Sequence, residues 1–124
     1  MNNISIYLKF LKERGRPLSE INPGSDETAL SVSDALLALN ILKDNQLIIL
    51  GGDILSEDEQ GKLVYVIHYW GYEYCYLDWY CNRINNESEN EYKKRSYDIA
   101  KRSIAIADTI AKKLNKKCLI SFVI

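Results

Sequence analysis

The side chains best suited to chemistry in this chain are few and lie close together in sequence. Asp53 follows Gly51-Gly52 at the end of an apolar run, Gln46-Leu-Ile-Ile-Leu50. A carboxylate at a strand end after two small residues could ligate a metal or act as a general base, although glycine followed by a polar residue is also what a bulged strand requires. His68 is the single histidine, so acid–base work near neutral pH would fall to it or to a perturbed carboxylate. It stands among Ile67, Tyr69 and Trp70 with no readable partner. Cys75, Cys81 and Cys118 are odd in number and have neither CxxC nor disulfide-framework spacing. They read as buried thiols in a reducing compartment. With one histidine a zinc site is not expected, and no phosphate loop, HExxH or GxSxG motif is present. Catalysis therefore has little to rest on, and no cofactor is implied.

Binding has more. Eight of the sixteen residues from Tyr65 to Tyr80 are aromatic: Tyr65, Tyr69, Trp70, Tyr72, Tyr74, Tyr76, Trp79 and Tyr80. A chain of 124 residues cannot readily bury so many rings, so about half should pack and the others should reach the surface. There, rings with a polar tip anchor partners. Charge narrows the kind of partner. The net charge is −1, but residues 53–91 carry nine acids against Lys62 and Arg83, and residues 92–124 carry nine basic residues against Asp98 and Asp108. The two segments could pair with each other or steer a charged partner. The rings lie in the acidic segment, which disfavours nucleic acid, whose recognition needs cations along the phosphates. A basic protein surface fits better. The expected contact residues are Asp53, Glu57, Asp58, Trp70, Tyr72, Glu73, Tyr74, Asp78, Trp79 and Tyr80.

The elements that must position these residues follow from periodicity. The length and a hydrophobic content of 47% suit one domain over residues 1–124. Asn3 to Arg14 has helical spacing, and Gly15 stands past its end. Pro17, Pro23 and Gly24 make a loop. A second helix is expected from Ser33, as its cap, to about Asp44. Leu47 to Leu50 reads as a strand, Gly51-Gly52 as a turn or bulge through positive φ, and Ile54-Leu55 as its continuation. After a charged turn, Lys62 to Trp70 should form the return strand of an antiparallel hairpin, and Tyr72 to Trp79 a third strand or extended loop. Ser88-Glu-Asn-Glu91 is a capping box opening a helix whose apolar face runs through Ile99, Ser103, Ile106, Ile110 and Leu114, beside Ala100, Ala107 and Ala111. Cys118 to Ile124 should be a terminal strand. The sum is an α+β fold with a small, mainly antiparallel sheet of three to four strands against two or three helices. No apolar run nears the roughly 20 residues needed to span a bilayer, and the N-terminus lacks signal-peptide features. A cytoplasmic location is expected, with no membrane partner.

One ordered series of short motifs points further. Gly24-Ser-Asp-Glu-Thr-Ala-Leu30, Asp34-Ala-Leu36, Ile49-Leu-Gly-Gly-Asp53, Asp78-Trp-Tyr-Cys81, Glu87-Ser88, Tyr92 and Arg95-Ser96 together resemble the immunity protein 40 family, over about residues 24–124. That family often has an aromatic residue where this chain has Leu55. The resemblance implies a small non-catalytic cytoplasmic protein that binds and neutralises a cognate bacterial polymorphic toxin domain, by covering its active face. Two other classes stay open: a small-molecule or nucleotide sensor with a pocket around Gly52, Asp53 and His68, and a small hydrolase using Asp53 with His68.

Overall fold

A computed structural model describes residues 4–124; the first residue of the expected N-terminal helix, Asn3, lies outside them. The helices are α1 (Ile4–Arg14), α2 (Val32–Asp44), a one-turn α3 (Val66–Tyr69) and α4 (Glu89–Leu114). The strands are β1 (Arg16–Pro17), β2 (Thr28–Ser31), β3 (Gly51–Glu57), β4 (Leu63–Tyr65), β5 (Trp79–Tyr80) and β6 (Leu119–Val123). Tight 3-10 turns cover Leu18–Glu20 and Tyr72–Leu77. The fold is α+β, as expected, but the mainly antiparallel sheet has six strands among the described residues, more than the three to four foreseen. The surplus comes from β1, β2 and β5, of two to four residues each. Strands this short carry almost no alternation in sequence.

The strand order is β1-β2-β6-β3-β4, with β5 paired to β3. β6 pairs with β3 from Gly51↔Val123 to Leu55↔Leu119, and β4 and β5 divide the other edge of β3 between them. Strand alternation then sorts the two faces. One face presents Leu30, Ile54, Ile120 and Phe122 to a core completed by Ala35, Ala38, Leu39 and Leu42 of α2 and by Ala100, Ile104 and Ala107 of α4. The opposite face carries a smaller cluster of Leu18, Ala29, Leu55, Leu63 and Leu119 under the Leu18–Ile21 segment.

Several expectations shift. α2 is capped by Ser31, whose Oγ accepts from the Asp34 N–H at 3.2 Å, two residues before the expected Ser33. Leu47–Leu50 is not a strand; only Leu50 joins the ladder, donating to the Val123 carbonyl at 2.7 Å and accepting from the Cys81 N–H at 2.8 Å. Gly51 and Gly52 instead open β3, and neither has positive φ. Their lack of a side chain serves a close approach: a methyl group on Gly52 would overlap the Trp79 ring. The return strand stops at Tyr65, and Val66–Tyr69 turns helical because Val66 swings into the main core. Gly71, at φ 130°, carries the chain into the 3-10 turn where a third strand or an extended loop was expected. In α4 the buried line is Tyr97, Ala100, Ile104, Ala107 and Ala111, while Ile106 is exposed. Alanines at that line let the helix lie close to its neighbours, so the bulkier isoleucines flank it.

Candidate functional site

The ring-rich segment divides by burial. Trp79 is only 7% exposed, packs edge-on to Phe122 with centroids 6.3 Å apart, and covers Gly52. Its ring belongs to the core, which leaves this expected contact little surface to offer a partner. Trp70 and Tyr74 are half-buried, in edge contact at 6.0 Å. Tyr72, Tyr76 and Tyr80 stand out into solvent, with Tyr72 at 77% and Tyr80 at 79% exposure. Glu73 is exposed beside them. The expected acids divide likewise. Asp58 holds its own turn, accepting from the N–H groups of Gln60 and Lys62 at 2.9 Å. Glu57 is engaged by Arg16 at 3.2 Å and Lys117 at 3.5 Å. Asp78 accepts from the Ile54 N–H at 2.8 Å, filling the gap on the edge of β3 between β5 and β4 where that donor has no strand partner.

Asp53 pairs in register with Ser121 and so shares the helix-free face with it, on the opposite side from Gly52. Burial pushes the Asp53 carboxyl above the usual carboxylate range, and burial does the same to Asp78 against the counter-effect of the Ile54 N–H. Sequence reasoning passed over Glu27, immediately before β2. Its carboxyl is raised by burial first, then by the charges of Asp53 and Asp26. One of its oxygens is buried with no hydrogen-bond partner among the described residues, as is the Ser121 hydroxyl. Ser121 lies near enough to ease the ionisation of Glu27, yet out of hydrogen-bonding geometry. The only early signal for Glu27 was its place within the Gly24–Leu30 motif.

His68 sits on α3, exposed, in edge contact with Tyr65 at 6.2 Å. The shallow groove that it lines with Ile21, Lys62 and Val64 includes neither Gly52 nor Asp53. Gly52 and Asp53 themselves face opposite sides of the sheet, so the three residues expected of a sensor pocket are dispersed. Asp53 and His68 do not form a hydrogen-bonded pair. The thiols are equally unpromising. Burial pushes Cys118 up to about 12, aided by Asp108, and burial raises Cys81 as well. Cys75 is exposed, contrary to the expectation that all three are buried. No group of three or more metal-ligating side chains occurs among the described residues, and no helix there is long and apolar enough to cross a membrane.

The later motif residues, from Cys81 to Ser96, converge on one structural network. Ser88 and Glu91 form the reciprocal capping box of α4. Glu87 takes two hydrogen bonds from Arg95, at 2.6 and 2.9 Å, and one from the Ile84 N–H. That arrangement, led by Arg95, lowers the Glu87 carboxyl to about 2. Arg95 also donates to the Asn82 carbonyl at 2.5 Å, and both Arg83 and Arg95 stack over the Tyr92 ring. Tyr92 donates to the Cys81 carbonyl at 2.7 Å, and the Ser96 hydroxyl accepts from the Ile49 N–H. These bonds tie the start of α4 to β5 and to the approach to β3.

A family model described as immunity protein 40 matches residues 17–124. No curated protein matches the chain, and no solved structure does. The match starts within β1 and takes in the sheet apart from Arg16, including both the scaffold around Tyr92 and the acidic face around Asp53. Covering nearly the whole chain, it places this protein in the immunity protein 40 family.

Proposed function

We propose that this protein neutralises the toxin domain of a bacterial polymorphic toxin by binding it and covering its active face, without catalysing a reaction. Family membership over residues 17–124 carries the reading. The surface supports it in kind: Tyr72, Tyr76 and Tyr80 are solvent-facing rings, and the half-buried acids Asp53 and Asp78 lie in the same part of the molecule, joined through β3. Rings and carboxylates in one region suit a basic protein partner, the rings as desolvated anchors and the acids as aids to rapid, selective association. A standard interface takes about 800 Å² from each partner, roughly a tenth of the 7599 Å² surface. Among the expected contacts, Tyr72, Glu73 and Tyr80 reach the partner directly. Trp70 and Tyr74 support them, and Trp79 acts from beneath by fixing β5. On this reading the protein works in the cytoplasm, where the toxin would harm its producer.

The test is co-expression of the toxin domain encoded beside this chain, with and without it. Growth restored only in its presence, together with a stable complex on gel filtration, is the expected result. Equal arrest in both cultures counts against the proposal, as does rescue without any complex.

A further inference from the structure

The two oppositely charged segments of the sequence do not neutralise each other in the fold. Among the described residues, two ion pairs join residues 53–91 to residues 92–124: Arg95 with Glu87 and Lys117 with Glu57. The acids of the first segment are mostly answered, Glu57, Glu87 and Glu89 by cations and Asp58, Asp78 and Glu91 by backbone N–H groups. The cations of the second are mostly not. Lys94, Lys101, Arg102 and Lys113 are exposed and enter no ion pair among the described residues. All four stand on α4.

Their placement along the helix is regular. Lys101-Arg102 and Lys112-Lys113 are eleven residues apart, which at the rise of an α-helix is about 16 Å and returns the second pair to the side of the first. Between them Ala105, Ile106 and Thr109 are exposed, and Asp108 is taken up by Lys112 at 3.0 Å. Ile106 is 45% exposed and belongs to neither hydrophobic cluster of the chain. It continues a strip formed by Ile110, one turn on, and Ile99, two turns back, both half-buried against the core. A purely solvated helix face favours Lys, Glu or Ala there over a β-branched side chain. Asp98, one turn before Arg102, bounds the patch at its N-terminal end.

We infer that this face of α4 docks an acidic amphipathic helix of a partner protein. The partner lays aliphatic side chains over Ile106 and sets carboxylates against Lys101-Arg102 at one end and Lys112-Lys113 at the other. An apolar centre within a charged rim is the anatomy of a protein interface, and two separated cation pairs steer the approach and fix its register. Nucleic acid suits the face less well. Phosphates require cations along the whole track, whereas an isoleucine holds the middle here, Asp98 and Asp108 stand on the same helix, and α4 has no exposed ring on which a base could stack. A second copy meeting this face through its own α4 would set like charges together. The surface lies outside the ring-rich segment, and the inference does not rest on the toxin-binding proposal.

The full chain is titrated with a capped helical peptide of about 18 residues, carrying glutamate pairs about eleven positions apart around central leucines, while amide and isoleucine methyl signals are followed by NMR. The amides from Lys101 to Lys113 and the Ile106 methyls should shift together and saturate in the sub-millimolar range. Ile106→Ser, and the double reversal Arg102→Glu with Lys113→Glu, should each weaken binding about tenfold or more. Their remaining amide spectrum should stay unchanged, because all three side chains are exposed. A peptide of the same composition with its glutamates gathered at the centre should bind several-fold more weakly. Absence of any shift on α4 overturns the docking surface, as does unchanged affinity in both variants. Weakening in the charge variant alone, or equal or tighter binding at these residues by a DNA duplex or by vesicles containing phosphatidylglycerol, overturns the assignment to a protein helix.

Discussion

The junction between β5 and α4 and the helix-free face of the sheet hold similar side chains in opposite conditions. At the junction every acid has an answering donor: Glu87 has Arg95 and the Ile84 N–H, Glu91 has the Ser88 N–H, and Arg83 meets Glu89. On the opposite face Glu27 and Asp53 have no ion-pair partner among the described residues, and the Ser121 hydroxyl has no hydrogen-bond partner among them. The first region spends its polar groups on holding the fold. The second leaves its carboxyls partly buried without a cation, which raises them above the usual range. The pairing of acids with donors thus distinguishes the two regions, where residue type alone does not.

The largest effect that could break this contrast lies under the scaffold. Trp79→Ala removes the ring that covers Gly52 and meets Phe122, and should cost about 3–5 kcal/mol in urea unfolding. A loss below about 1 kcal/mol, with weakened toxin binding, would return Trp79 to the contact surface. Next comes Tyr92→Phe, which leaves the buried Cys81 carbonyl without its donor and should cost about 1–2 kcal/mol. Glu27→Gln should act in the opposite direction, stabilising the free protein by about 1 kcal/mol through removal of an unpaired carboxylate, or about 4 °C in Tm for a domain of this size.

The two regions also answer pH with opposite signs. Glu87 is held at about 2, so its contribution is present above the ordinary glutamate range and is lost as pH falls toward about 2. The carboxyls of Glu27, Asp53 and Asp78 are raised, so theirs is present below the ordinary range and is lost as pH rises through the elevated values. Urea unfolding of wild type and Glu27→Gln from pH 3 to pH 7 should show the two curves converging at the acid end, with the variant ahead at neutral pH. Parallel curves would place the Glu27 effect outside titration. The smallest stability effect sharpens the comparison: Tyr72→Ala and Tyr80→Ala should stay within about 0.5 kcal/mol of wild type while speeding dissociation of the toxin complex.

What the sequence disclosed followed the range of the interactions involved. The capping box at Ser88, the charged turn at Asp58 and the antiparallel pairing of β3 with β4 were legible, because each is settled within about a dozen residues. The strand expected from Lys62 to Trp70 was misjudged past Tyr65: Val66-Ile-His-Tyr has strand-like composition, but burial of Val66 turns it into a helix. Gly51-Gly52 looked like a turn because the ring that needs their flatness, Trp79, is distant in sequence. The candidate face was half visible. Asp53 stood out by its glycines, whereas Glu27 and Ser121 become neighbours only through pairing across the sheet.

The position of β6 has a consequence for how the chain is made. It lies between β2 and β3 and pairs with both, yet it is synthesised after either of them. Until residues 119–123 leave the ribosome, two strands expose bare edges and the helices have only half a sheet to cover. Closure therefore depends on contacts of long sequence separation, which slows folding and prolongs exposure of those edges. Substitutions that weaken β6 should reduce the yield of soluble protein in cells more than their effect on equilibrium stability would suggest.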